Sequence, residues 1–277
     1  MRRRIGQSLR IGLSAHGLAL VRTSRLFGNA PLALAERHAD LAAPGALADG
    51  LRALFADDLG GDLPVGGWPV SVVLADELVR LWQVPPPPGA SRPADLEAAA
   101  RLRFQHLFGS DGGDWRIQAD WDAAHPFLAA AVPGPLLDQL IDTTRALRLH
   151  LVEVVPQFVA AMNEWRRERR PGAWFGLVQG GVLSLAAYDG KRLAAVRTAV
   201  IPAGADRDWL EAHVAREALR VGVGRPERLQ LCGAAPARWA SSVGRLKFAC
   251  ILFEHEDDAA NAGWTDLARL ARTGSAA

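Results

Sequence analysis

A chain of 277 residues, 49% of them apolar, is long enough to bury one large hydrophobic core or two moderate ones. A formal charge of only +2 excludes a whole-chain basic field of the kind that holds nucleic acid. Lysine occurs only at Lys191 and Lys247, so the many arginines reflect a composition bias and are poor evidence for phosphate recognition. The two cysteines, Cys232 and Cys250, make neither a CxxC pair nor a zinc framework; both lie in apolar stretches and read as inert buried thiols in a reducing compartment. Met1-Arg2-Arg3-Arg4 opens like an export signal, but Gln7, Arg10 and His16 interrupt the apolar stretch that such a signal needs next. No run reaches the roughly 18 apolar residues of a membrane span, so a cytoplasmic protein is expected, recruited to a membrane only through a partner or surface charge.

In chain order, residues 9–14 and 18–23 alternate around the turn Ala15-His16-Gly17 and predict an N-terminal hairpin. Residues 44–61 predict a helix on Leu47, Leu51, Leu54 and Phe55, stopped by Gly60-Gly61. Strands are predicted over 69–74 and 78–84, with Asp76-Glu77 between them as a turn. Pro85 to Pro88 cannot join a ladder and read as a stiff connector. A helix capped by Ser91 carries its apolar face on Leu96, Ala100, Phe104 and Leu107. Residues 115–121 alternate with period two, which puts Trp115, Ile117 and Trp121 on one side, as packing or as an aromatic interaction face. Next come a strand over 127–132, a helix opened by Pro135, a strand over 149–155 and a helix over 156–170 that ends in a basic run.

Pro171-Gly172 reads as a lobe boundary. Beyond it lie three strands in meander order, over 174–178, 182–188 and 193–199, turned by Gly180-Gly181 and Asp189-Gly190. A helix over 209–219, a strand over 228–232, a strand over 248–253 and a last helix over 264–271 complete the chain, and 273–277 read as frayed. The pattern thus repeats. A hairpin-containing strand set followed by alternating helices and strands appears from residue 9 and again from residue 174, and duplicated lobes of this kind imply a ligand cleft between them.

The run from Val70 to Pro85, followed by Ala94-Asp95-Leu96-Glu97-Ala98-Ala99-Ala100-Arg101-Leu102-Arg103-Phe104, resembles the PilM family of type IV pilus assembly proteins and the cytoplasmic part of the related GspL secretion proteins. Phe127-Leu128-Ala129-Ala130-Ala131-Val132-Pro133 and Leu151-Val152-Glu153-Val154-Val155-Pro156 resemble them too. The resemblance implies an α/β chain with the actin-like ATPase fold, a duplicated ribonuclease H-like architecture. Its first lobe would be 1–171, with a small inserted subdomain at about 77–122, and its second lobe 172–277. It also implies ATP between the lobes, with an acid in each phosphate loop to hold the metal or its water.

The residues depart from that pattern. The first loop would be Gly12-Leu13-Ser14-Ala15-His16-Gly17, with Ser14 where the family has Asp and His16 where it has Gly; no Asp or Glu occurs from Ile5 to Ala35. The second would be Leu177-Val178-Gln179-Gly180-Gly181, also in an acid-free stretch. The adenosine loop would be Leu229-Gln230-Leu231-Cys232-Gly233-Ala234-Ala235, which keeps Gly233 alone. Phosphoryl transfer depends on metal and positioned charge, so the expectation is a degenerate nucleotide site at Ser14, His16, Gly17, Gln179, Gly180, Gly181 and Gly233. No catalytic residue, no metal and no tightly held cofactor is expected, and weak ATP binding stays open.

Other constellations carry less. The first loop is a near miss for a serine-hydrolase elbow, with His16 where Gly is needed. Gly222-Val223-Gly224 comes after a helix and reads as its stop. His255-Glu256-Asp257-Asp258 reads as a solvated turn rather than a metal site, and Arg166-Arg167-Glu168-Arg169-Arg170 as an exposed helix end or a patch for anionic lipid or an acidic partner. The expected role is a non-catalytic cytoplasmic adaptor, peripheral to the inner membrane. It would bind a membrane-anchored pilus or secretion assembly protein and couple it to a cytoplasmic motor ATPase. The alternative is an active ATPase or small-molecule kinase on the same fold.

Overall fold

The structure is a computed structural model. It describes residues 6–24, 30–41, 43, 45–56, 67–109, 112–240, 248–257 and 263–275. The expected export-like start, the end of the helix predicted over 44–61, Asp258 and the last two residues of the tail lie outside them. The chain divides into two compact units, Met1–Val79 with Val132–Glu164 and Gly263–Ala277, and Arg80–Ala131 with Trp165–Ala262.

The first unit is built on a five-stranded sheet. Strands β1 (Gln7–Ser14) and β2 (Gly17–Ser24) form the expected hairpin, paired from Gln7↔Ser24 to Ser14↔Gly17. Strand β3 (Leu32–His38) adds to β2 antiparallel, while β4 (Pro69–Leu74) and β8 (His150–Pro156) add in parallel on the other side, giving the order β3-β2-β1-β4-β8. The sequence reading has no strand at β3. It is an edge strand with only half-buried side chains, and an Ala-rich run ending in Glu36-Arg37-His38 carries no alternation to reveal it.

Helices cover both faces of this sheet. Helix α1 (Ala46–Ala56) buries Leu47, Leu51 and Leu54, and lies beside α3 (Gly134–Ala146). On the other face α6 (Asp266–Arg272) packs Leu267, Ala268, Leu270 and Ala271 against Ala19, Val21, Val73 and Ala75. Burying two leucines and two alanines there contributes several kcal/mol, at about 2 kcal/mol per leucine. The last helix therefore belongs to the first unit, although the sequence boundaries grouped 172–277 together. Its small-residue floor attracts it: Gly12 and Ala19 leave a flat strip on which a helix can lie close. Arg10, 6% exposed, fixes the helix end by donating to the Ala271 and Thr273 carbonyls, the first at 3.0 Å from Nε. These carbonyls are the acceptors that a helix C-terminus leaves unpaired.

The second unit repeats the same order, β11-β10-β9-β12-β13, from β9 (Trp174–Gln179), β10 (Val182–Asp189), β11 (Arg192–Val200), β12 (Arg228–Gly233) and β13 (Ala249–Leu252). Here too the first three strands are antiparallel and the last two join in parallel. Helix α5 (Arg207–Val221) is capped by Asp206, whose carboxylate accepts from Trp209 N at 2.9 Å, and it ends at Gly222 in the left-handed conformation as expected. It packs Leu210, Val214 and Ala218 on Trp174, Leu229, Leu231 and Trp239. Arg207 clamps its start by donating to the Trp239 and Phe248 carbonyls at 2.9 and 2.7 Å.

The small inserted subdomain is a sheet of order β5-β7-β6 under one helix. Its parts are β5 (Arg80–Val84), α2 (Pro93–Phe108), β6 (Trp115–Ala119) and β7 (Phe127–Pro133). The insert is longer than the sequence reading of 77–122, because β7 pairs with β5 from Arg80↔Ala131 to Val84↔Phe127. Its contacts also group it with the second unit, where β5 lies against β11. Trp115, Ile117 and Trp121 do share a side, and they pack on the subdomain core of Trp82, Leu96 and Phe104. Their role as packing accounts for the alternation.

Helix α4 (Gln157–Glu164) is shorter than predicted. The basic run lies beyond its end and is not a bare helix terminus. Arg170 N donates to Gln230 Oε1 at 2.8 Å, Gln230 Nε2 donates to the Glu168 carbonyl, and Arg169 donates to the Tyr188 hydroxyl. Trp165 stacks on Phe253 at 4.7 Å. Gln230 thus takes up the Arg170 amide and the Glu168 carbonyl, backbone groups that a longer helix would have paired. Among the described residues no helix is long and apolar enough to cross a membrane. Both cysteines are buried, and burial pushes the Cys250 thiol up to about 11, against the opposing effect of Arg207.

Candidate functional site

The predicted loop residues fall into two sets, one in each unit. In the first unit β1 runs straight into β2 through a two-residue turn, Ala15-His16. Ser14 is buried, and its Oγ accepts from His16 N at 3.1 Å and donates to the Gly17 carbonyl at 3.4 Å. Its hydroxyl thus serves the turn and is not presented as an elbow nucleophile. The carbonyls of Ala15 and His16 accept from Leu41 N and Ala39 N, both at 3.1 Å.

The remaining donor of the turn meets a residue that the sequence reading assigned only to a chain reversal. Ala15 N donates to Glu77 Oε1 at 2.7 Å. Its neighbour Asp76 accepts from Phe158 N at 3.0 Å, at the start of α4. Parallel pairing brings both there: β1 and β4 run side by side to Leu13↔Leu74, Ala75 N donates to the Leu13 carbonyl, and the next two residues emerge at the hairpin tip. The expectation that no carboxylate stands at this loop is therefore corrected. The acid comes from the end of the neighbouring strand rather than from the loop itself.

The glycines of this loop are engaged as well. A Cβ on Gly12 would lie 2.6 Å from Ala271 N and 2.8 Å from the Leu267 carbonyl. A Cβ on Gly17 would lie 2.6 Å from the Arg37 carbonyl and 2.8 Å from the Leu267 side chain. Their missing side chains make room for α6 and β3.

In the second unit Gln179, Gly180 and Gly181 form the β9–β10 turn, with φ of 55° and 74° at the two glycines. Gly233 is brought beside them. It pairs with Val178 across the parallel β9–β12 ladder, and Ala234 N donates to the Val178 carbonyl at 2.9 Å. Gly233 N donates to Glu254 Oε2 at 3.0 Å. Glu254 comes just after β13, the parallel neighbour of β12, as Glu77 comes just after β4. Sequence reasoning missed both carboxylates. The signal was the position of each, two or three residues past a strand expected to lie in parallel beside a loop-bearing strand. Among the described residues no three His, Cys, Asp or Glu side chains gather in a metal-sized cluster.

No protein-family profile and no curated protein matches the chain. Solved structures do. A Bacteroides thetaiotaomicron protein with an actin-like ATPase fold and unknown function aligns over 84% of both chains, with a TM-score of 0.54 and 12% identity. The fold is actin-like. The cytoplasmic domain of EpsL, an inner membrane component of the Vibrio cholerae type II secretion system, aligns over 81% of both chains, with a TM-score of 0.53 and 17% identity. The PilM–PilN type IV pilus biogenesis complex aligns over 83% of this chain and 82% of the matched chain, with a TM-score of 0.53 and 18% identity. The repeated strand order of the two units is what an actin-like fold requires, and the resemblance noted in the sequence leads to the same structures.

Proposed function

We propose that this chain is a non-catalytic, actin-like adaptor of a type IV pilus or type II secretion assembly complex, working at the cytoplasmic face of the inner membrane by binding a membrane-anchored partner. Its neighbours in fold include an inner-membrane secretion component and a pilus biogenesis complex. The observation that carries the non-catalytic part is the β1–β2 turn. Ser14 stands where a metal-holding acid is expected, and its hydroxyl is spent on the turn's own amide. A neutral hydroxyl tied to the turn brings no negative charge to magnesium or to its water, which a carboxylate there would supply.

One observation favours the alternative of an active ATPase or kinase: the Glu77 carboxylate stands at the first loop. Its oxygen is held by Ala15 N, the kind of backbone donor that would otherwise cradle a phosphate, so the same contact weighs against that reading.

Binding tests the adaptor directly. The purified chain should bind the cytosolic segment of a membrane-anchored protein encoded beside it, with micromolar affinity by biolayer interferometry, equally with and without magnesium-ATP. Binding to none of these segments, in a protein with an intact circular dichroism spectrum, contradicts the role.

A further inference from the structure

The actin-like fold implies a nucleotide, and the groups present at its loops do not fit one. We infer that Glu77 and Glu254 are built-in anions that occupy backbone amides of the first phosphate loop and of the adenosine loop, and so exclude oxyanions from these two positions. An oxyanion binds a loop through backbone N–H groups that have no other partner. Here Ala15 N is taken by Glu77 at 2.7 Å and His16 N by Ser14 Oγ at 3.1 Å. In the second unit Gly233 N is taken by Glu254 at 3.0 Å and Ala234 N by the Val178 carbonyl at 2.9 Å. Two carboxylates on two separate sheets have reached the same solution, each from the end of the parallel neighbour strand. Each does more than satisfy a donor. Glu77 places a negative charge at the first phosphate loop and Glu254 one at the adenosine loop, and like charges a few ångströms apart repel. Charged acceptors also hold backbone amides more strongly than neutral ones do. These amides are thus closed to an oxyanion by the carboxylates that hold them. Glu77 and Glu254 determine what these sites reject.

This inference rests on reading the β1–β2 turn and the end of β12 as former nucleotide loops, and its test involves no partner, so failure of the adaptor role leaves it standing. The variants are Glu77→Ala, Glu254→Ala and the pair, with Glu77→Gln and Glu254→Gln as controls that keep an acceptor on the amide. The probe is inorganic tripolyphosphate without metal, followed by calorimetry and by amide chemical shifts. Each alanine variant should bind the probe about tenfold more tightly than the wild type, and the glutamine variants, which lose the charge but keep an acceptor on the amide, should fall between the two. In the wild type the Ala15 and Gly233 amides should not shift on titration. Folded alanine variants that bind no more tightly overturn the inference, and so do glutamine variants that bind no more tightly than the wild type, since the charge would then contribute nothing. Should the alanine variants not fold, the wild-type titration decides: probe-induced shifts at Ala15 or Gly233 overturn it, and their constancy supports it.

Discussion

Gly233→Ala is expected to destabilise the second unit by about 4 kcal/mol, the largest effect of any methyl-sized change at the loops. Two costs add. The residue sits at φ +79°, where an L side chain costs about 1–2 kcal/mol. The new Cβ would also stand 2.3 Å from the Val178 carbonyl oxygen and 3.0 Å from Leu177 Cδ1. The oxygen cannot step aside, because it already accepts from Ala234 N and belongs to the ladder that joins β9 to β12. Relief requires the two central strands to part, which adds about 1–3 kcal/mol of overpacking. Against a typical domain stability of about 5–15 kcal/mol this is a large fraction. A thermal melt followed by tryptophan fluorescence should fall by about 10 °C. Gly224→Ala is the control: its Cβ would meet nothing within 4 Å, and the melt should not move measurably.

Gly12→Ala should act on the first unit by a different route. Its Cβ would lie 2.6 Å from Ala271 N and 3.0 Å from Ala271 Cα, so the obstacle is the backbone of α6 itself. The seven-residue helix has to lift from β1. Lifting it uncovers Leu267, Leu270 and Ala271 and stretches the bonds from Arg10 to the Ala271 and Thr273 carbonyls. The expected loss is about 3 kcal/mol, from partial exposure of two leucines and weakened charge-assisted hydrogen bonds. Hydrogen exchange should show it locally: amides of residues 268–273 lose protection while those of β9 and β12 keep theirs. Unchanged exchange in α6 would mean that the helix does not depend on the missing side chain at residue 12.

How much of this was legible beforehand depended on how far apart in sequence the partners lie. The β1–β2 hairpin and the β9–β10–β11 meander announce themselves by alternation around short turns, and the structure has them in place. The duplicated order emerged from those local signals. The edge strand β3 did not, because half-exposed Ala, Glu and Arg side chains give no apolar period. The role of β7 was hidden for a related reason: its run of alanines fits either the first lobe or the insert, and only pairing with β5 assigns it. Helix α4 stops early because side chains distant in sequence, Gln230 above all, satisfy the backbone beyond Glu164.

The site was legible in its losses. Ser14 and His16 stand where the resemblance to the PilM family expects Asp and Gly, and both are visible in the sequence itself. The carboxylates that stand at these amides were not, since Glu77 lies 62 residues from Ala15 and Glu254 lies 21 from Gly233. Only the parallel pairing of β4 with β1 and of β13 with β12 carries these carboxylates to the turns. A search for acids within each loop looks in the wrong place when the neighbouring strand supplies them.

The proposed adaptor has an actin-like frame without working nucleotide chemistry. Calorimetric titration of the wild-type chain with magnesium-ATP, paired with a phosphate-release assay on the same sample, tests this most directly. No saturable heat and no phosphate above the protein-free blank are expected. A saturable, magnesium-dependent heat accompanied by turnover would contradict it.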